Sequence, residues 1–175
     1  MRIYSSKKFD VLIENFNLPN GKQVEKAFVR HRGSVVIAPF LGPERIILIK
    51  QYRPILGKWL YEFPAGTIEE GESEDLTARR ELEEEIGYVP LKLFKVLKFY
   101  VSPGIATELM HLYIATNLTK TTQKLEEYEV IEPFELTIDE AIKMIDEGKI
   151  EDGKTILSLL FISRKYQEIR SLLQG

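Results

Sequence analysis

The stretch that decides the fold runs from Gly66 to Tyr88, GTIEEGESEDLTARRELEEEIGY. Its second half has the spacing of a helix. Ser73 is placed to cap that helix, Glu74 and Asp75 suit the positive end of its dipole, and Gly87 is placed to end it. On a wheel of about 100° per residue, Glu81, Glu84 and Glu85 share an arc of about 100°. Ala78, Leu82 and Ile86 form an apolar stripe beside that arc. If the stripe packs on a sheet, the carboxylates are held at the edge of the core. Like charges spaced i,i+4 destabilise a bare helix by roughly 0.2–0.5 kcal/mol per pair, and partial burial adds to the penalty. A divalent cation would reverse its sign. Mg²⁺ takes oxygen ligands and keeps several waters, so a few carboxylates suffice to hold it. Spacing alone is also compatible with a solvated acidic face.

The order of residues is more specific than their spacing. Gly66 is followed after five residues by Glu72, and after seven more by Arg80-Glu81-Leu82-Glu83-Glu84-Glu85-Ile86-Gly87-Tyr88. This resembles the Nudix box, GX5EX7REUXEEXGU with U a bulky apolar residue, at every fixed position; Tyr88 is a slightly polar last U. The resemblance implies a loop–helix–loop that holds Mg²⁺ or Mn²⁺ against a diphosphate. By position, Glu81 and Glu85 would be metal ligands, Glu84 a further or water-mediated one, and the Ala65 carbonyl another. Arg80 would orient the glutamates, Glu72 would stabilise the loop and helix start, and Gly66 would let the backbone turn to free the Ala65 carbonyl.

Working outward, Glu62-Phe63-Pro64-Ala65-Gly66 resembles the entry to this box in the ADP-ribose pyrophosphatases of the family. Ser102-Pro103-Gly104 followed by Glu108 resembles their proline loop, with Pro103 sixteen residues beyond Gly87. Gln51-Tyr52-Arg53 and His31-Arg32-Gly33 are similar to the same group. The resemblance therefore implies a small-molecule substrate, a nucleoside diphosphate derivative, with Arg32, Arg53, Glu62 and Glu108 as candidate substrate-binding residues. A guanidinium donates two parallel hydrogen bonds, which suits phosphate oxygens, although exposed arginines also pair with carboxylates. Tyr52, Trp59 and Phe99 are candidates to stack a purine, or else core aromatics. A general base is also needed. The family usually supplies it from a late acidic loop, here Leu125-Glu126-Glu127-Tyr128-Glu129, so Glu127 and Glu129 are both candidates. The implied reaction is hydrolysis of ADP-ribose to AMP and ribose 5-phosphate. A GDP-mannose-type nucleotide-sugar pyrophosphatase and a non-catalytic Nudix-fold nucleotide-binding module are the alternatives.

The rest of the chain reads as strands over 9–16 and 23–30 around an Asn20-Gly21 turn, then 34–40, 45–51 and 59–63. Strands are expected again over 92–101, 108–115 and 131–136, with 116–128 a polar loop and Pro133 marking an edge. Thr137-Ile138-Asp139-Glu140 is a capping box for a helix ending at Gly148, and a last helix spans about 155–173. This order gives an α+β fold. With the resemblance, it implies a Nudix-type mixed β-sheet core packed between helices, with an N-terminal antiparallel strand pair. Residues 1–32 would form that pair, an arm that in similar pyrophosphatases builds a homodimer, and 33–175 the hydrolase domain.

Composition narrows the partners. The 175 residues carry a net charge of −3 and are 44% apolar. That balance argues against nucleic acid as a partner and for a chain able to bury a core. With no cysteine there is no disulfide, thiolate metal site or thiol nucleophile. The apolar runs are too short to span a membrane, and Met1 to Asp10 lacks a signal-peptide core. The expected location is the cytoplasm. His31 and His111 have no spacing that suggests zinc. Gly148 to Thr155, GKIEDGKT, matches the phosphate-loop pattern GXXXXGK[ST] letter for letter. It follows a capped helix instead of a buried strand, so the expected structure is a helix end, a short loop and a new helix.

Overall fold

A computed structural model describes residues 1–174. Ten strands and four helices occur in the order β1 (Arg2–Ser5), β2 (Phe9–Asn17), β3 (Gln23–His31), β4 (Ser34–Pro39), β5 (Arg45–Arg53), β6 (Lys58–Glu62), β7 (Ala65–Thr67), α1 (Glu74–Ile86), β8 (Tyr88–Tyr100), β9 (Leu109–Lys120), β10 (Ile131–Thr137), α2 (Ile138–Asp146), α3 (Gly153–Arg164) and α4 (Tyr166–Gln174). The strands form three sheets, ordered β1-β2-β3, β10-β5-β6 and β7-β4-β9-β8. The β4–β9 pair is parallel and every other ladder is antiparallel, so the last sheet is mixed.

Strand alternation sorts the core into two layers. Val35 and Ile37 of β4, Ile47 and Ile49 of β5 and Tyr113 and Ala115 of β9 face one side, where they meet Ala78, Leu82 and Ile86 of α1. Val36, Ala38, Ile46, Leu48, Leu112 and Ile114 face the other side, packed with Ile138 and Ala141 of α2, Leu159 and Ile162 of α3 and Ile169 of α4. All six residues of β4 are buried, as expected for a strand covered on both faces. The N-terminal sheet stands apart from these layers. It is tied to the main body where Val29 donates to the Ile105 carbonyl and Thr107 donates to the Val29 carbonyl.

Several expectations are revised. The N-terminal pair gains a third strand, β1, whose four residues are all exposed and carry no alternating signal. Strand β9 continues through Lys120, so its second half is not a loop. Lys120, Thr119 and Leu118 pair with Tyr88, Val89 and Pro90 at the start of β8, which begins four residues before the expected Lys92. The last helix is broken at Lys165, giving α3 and α4. Pro64-Ala65-Gly66 is not a simple turn, because Ala65 to Thr67 pair with β4. The capping box at Thr137 and Glu140 is present with both reciprocal bonds. Pro133 lies on β10, at the edge of its sheet. Gly148 to Thr155 is a helix end, a loop and the start of α3, as its context implied.

Candidate active site

Helix α1 carries the site because its two sides are different. Ser73 caps it, accepting a hydrogen bond from the Leu76 N–H at 3.3 Å, a contact of the kind that contributes about 1 kcal/mol. Gly87 ends it in the left-handed region at φ 69°. A Cβ there would also come within 2.8 Å of the Gln123 nitrogen, so both conformation and space require glycine. Between the caps, the apolar stripe is buried against β4, β5 and β9. Glu81 and Glu85 are carried inward beside it, at 8% and 2% exposure.

The strand facing the helix turns its backbone toward these carboxylates. Ile37 donates to the Pro64 carbonyl and Ile68 to the Gly33 carbonyl. In an antiparallel ladder the bonded pairs alternate, so Ala65 opposite Val36, and Thr67 opposite Ser34, are non-bonded pairs. The N–H and C=O of Ala65 and Thr67 therefore point away from β4. The Ala65 N–H donates to Glu85 Oε2 at 3.0 Å, and the Thr67 carbonyl accepts from Arg80 Nη2 at 3.4 Å. The Ala65 carbonyl is turned to the same side. Gly66, between them, has no positive φ. Its role is space: a Cβ there would lie 1.8 Å from Glu81 Oε1. The expected turn-forming function of Gly66 is thus replaced by a cradle for a carboxylate.

Arg80 links the cluster to the loop before it. Its Nη1 donates to Glu81 Oε1 at 2.7 Å and to Glu84 Oε2 at 2.9 Å. Its Nε and Nη2 donate to the two oxygens of Glu72 at 2.9 and 3.0 Å. Glu72 also accepts from Thr77 Oγ1 at 2.8 Å, and these bonds, led by that of Arg80, hold its pKa down to about 2. The two buried glutamates behave in the opposite way. Burial pushes Glu81 up to about 7 against the pull of Arg80, with Glu84 and Glu129 adding repulsion. Burial, then the charge of Glu81, raises Glu85 well above the usual carboxylate range. Two carboxyl groups are thus held side by side inside the protein, where their charged forms are under-compensated.

Arg80 draws Glu81 and Glu84 onto itself. Consistent with that, no three His, Cys, Asp or Glu side chains among the described residues already surround a point suited to a metal ion. The donor set nevertheless fits a hard divalent cation. It is made only of oxygen, from Glu81, Glu84, Glu85 and the Ala65 carbonyl. Glu81 is given room by Gly66, and two of the carboxylates are buried short of positive charge.

A cleft of about 1120 Å³ opens beside this cluster, large enough for a dinucleotide-sized molecule. Arg32, Arg53, Glu62, Ala65, Gly66, Arg80, Glu81, Glu84, Glu85, Glu108 and Glu129 all line it. Arg32 sits 3.5 Å from Glu70, with both side chains well exposed, so it is free to turn to a ligand. Glu108 accepts from Ser34 Oγ at 2.6 Å. Glu129 lines the cleft beside the cluster, where its charge opposes those of Glu81 and Glu85. Glu127 and Pro103 are not among the lining residues. Of the three aromatics, only Phe99 lines the cleft, while Tyr52 and Trp59 pack edge to face on each other at 5.6 Å. His31 Nδ1 accepts from the Gly33 N–H, and His111 lies 3.5 Å from Glu74, so neither joins the site.

Glu62 departs from its expected role. It is 1% exposed, and its oxygens accept from Arg53 Nε at 2.7 Å, from Arg53 Nη2 at 2.5 Å and from Lys154. Burial opposes its charge, but Arg53 and Lys154 outweigh that and hold its pKa below the usual range. Glu62 therefore orients Arg53 more than it meets a ligand. Lys154 and Asp152, which line the same cleft, were not legible as site residues. Their only sequence signal lay in the misleading phosphate-loop match.

Comparison with known proteins bears on the fold and the family. The NUDIX domain family model matches residues 30–159. The ADP-ribose pyrophosphatase of Bacillus subtilis (strain 168) is 38% identical over 94% of this chain and 90% of its own length. A GDP-mannose pyrophosphatase of Yersinia enterocolitica is 33% identical over 95% of this chain and 87% of its own length. A crystal structure of an ADP compounds hydrolase has the same fold, with a TM-score of 0.78 and 23% identity over 96% of this chain and 91% of that one.

Proposed function

The chain belongs to the Nudix family, and from that premise we propose that it hydrolyses ADP-ribose, with one water, to AMP and ribose 5-phosphate. The observation that carries this reading is the placement of Glu81 against Gly66 and of Glu85 against Ala65, with Glu84 beside them on the wall of a cleft that also presents Arg53 and Arg32.

The proposed cofactor is Mg²⁺, with Mn²⁺ as a substitute, held by Glu81, Glu85, the Ala65 carbonyl and Glu84. When bound, it supplies neutralisation of the diphosphate charge and a more acidic water. The side chains do the rest. Arg53, fixed from behind by Glu62, donates its free N–H groups to a phosphate oxygen. Arg32 closes on the second phosphate from the cleft rim. Arg80 gathers Glu72, Glu81 and Glu84 at one edge of the helix, so that Glu81 and Glu84 need only turn from its guanidinium to meet the cation. Glu129 takes the proton of the attacking water, a role its position supports over Glu127. Glu108 accepts from a ribose hydroxyl. Phe99 offers an apolar wall to the base.

A nucleotide sugar is the second reading, favoured by the GDP-mannose pyrophosphatase relative. A non-catalytic binding module is disfavoured by the complete glutamate set. The proposal also includes a homodimer built through the N-terminal sheet, where Ile3 and Tyr4 are exposed, acting in the cytoplasm. None of the described helices is long and apolar enough to cross a membrane. Offering ADP-ribose and GDP-mannose at equal concentration with Mg²⁺, and resolving products by chromatography, tests the reading. AMP and ribose 5-phosphate are expected to dominate. GMP as the main product would transfer the assignment to nucleotide sugars, and intact substrates with retained binding would leave a binding module.

A further inference from the structure

Near the end of the misleading phosphate-loop match, Asp152 to Lys154 line the cleft, and we propose that Lys154 is a positioning residue for diphosphate binding. It acts through Glu62 to hold the guanidinium of Arg53 in place. This rests on the reading of Arg53 as a diphosphate ligand given above.

Glu62, the last residue of β6, is the hinge of the arrangement. One of its oxygens accepts from Arg53 Nε, and the other accepts from both Arg53 Nη2 and Lys154 Nζ. Exposure rises along this chain toward the cleft, from 1% for the Glu62 side chain and 12% for that of Lys154 to 38% for that of Arg53. The arginine is therefore the member that meets a ligand. Its Nε and one edge are spent on Glu62, which leaves Nη1 and the outer edge free.

A buried carboxylate paired with Arg53 alone would take the whole of that cation's charge. Lys154 shares the carboxylate, so Arg53 stays both oriented and attractive to an anion. Lys154 is fixed in its turn. Asp152 Oδ1 accepts from its Nζ at 2.9 Å, while Asp152 Oδ2 caps α3 through the Thr155 N–H at 2.9 Å and Oγ1 at 2.6 Å. Thr155 Oγ1 accepts from the Phe63 N–H at 2.8 Å. Consecutive residues of α3 thus grip the side chain of Glu62 and the backbone that follows it. With two carboxylates on its Nζ, Lys154 is engaged away from the ligand, so its influence passes through Glu62.

The test is ADP binding by calorimetry with Mg²⁺, comparing the wild-type protein with K154M, R53Q and the double variant, alongside thermal melts. K154M is expected to weaken ADP by about tenfold, the scale of one charge-assisted hydrogen bond. In the R53Q background the same change should add less than about twofold, because coupled residues are not additive. Should K154M melt below the binding temperature, K154Q carries the test. It keeps a donor to Glu62 and is expected to weaken ADP about threefold, less than loss of a charged partner would. Unchanged affinity in a folded Lys154 variant would overturn the proposal, as would losses that multiply in the double variant. ADP-ribose turnover by the wild-type protein is scored separately. Its failure strikes the functional reading, whereas the ADP affinities judge Lys154 alone.

Discussion

The carboxylate of Glu81 occupies the volume in which a side chain at Gly66 would begin, 1.8 Å from the position of its Cβ. A residue of β7 and a residue of α1 thus share one space, and only glycine permits it. In G66A the obstructed group is the far end of a flexible side chain, so the helix need not move. The expected outcome is a melting temperature within a few degrees of wild type, as for a loss of about 1 kcal/mol. Alongside it, kcat/KM should fall by at least about a hundredfold, because a misplaced ligand costs transition-state stabilisation of a few kcal/mol. Steady-state kinetics and a melt on the same sample check both halves.

Glu85 is buried and short of positive charge. Replacing it by a neutral isostere removes an electrostatic burden while deleting a proposed ligand. E85Q should therefore fold as well as wild type or better, show turnover reduced by about a thousandfold or more, and lose the stabilisation that Mg²⁺ gives the native protein. An E85Q variant with wild-type activity would remove the metal assignment.

The same burial predicts a pH dependence. Burial raises the pKa of Glu81 to about 7 from 4.5, so in the metal-free fold its ionisation costs stability as pH climbs between those values. A bound cation removes that cost and needs the deprotonated ligand. The Mg²⁺-induced rise in melting temperature should be larger at pH 8 than at pH 6, and E81Q should flatten the difference. An equal rise at both values would count against Glu81 as a ligand.

Glu72 shows the opposite sign. The hydrogen bond from Arg80 lowers its pKa to about 2 from 4.5. Its contribution is fully present above about 4.5 and is lost as pH falls through about 2. E72Q should therefore lower the melting temperature at pH 7. Its gap from wild type should close steadily below pH 4.5, as melts over a pH series would record.

Glu127 and Glu129 are separated by position, since only Glu129 lines the cleft. E129Q should lower kcat by about a hundredfold or more, within the range of general base catalysis, with KM little changed. E127Q should stay within about twofold of wild type, as surface changes do. A reversed pair of results would move the base to Glu127.

Much of this was legible because helix α1 announces itself locally. Ser73, Gly87 and the Ala78, Leu82, Ile86 stripe place its ends and its buried face, and the carboxylates follow from the 3.6-residue period. What was missed depends on partners distant in sequence. Gly66 reads as a turn until the helix brings Glu81 against it. Thr116 to Lys120 reads as a loop because all but Leu118 are polar, yet the stretch pairs with Tyr88 to Lys92. Lys154 looks like a phosphate-loop lysine, and its partner Glu62 lies 92 residues away. Lys165 breaks the last helix without a Gly or Pro to signal it.

The most direct test of the account is whether α1 holds a divalent cation. Titrating the protein with Mn²⁺ and following the free-ion signal by electron paramagnetic resonance reads this without turnover. The wild-type protein should deplete the free signal, and E81Q and E85Q, equally folded, should leave it largely undiminished. Depletion that is the same in all three proteins would contradict the assignment of Glu81 and Glu85 as ligands.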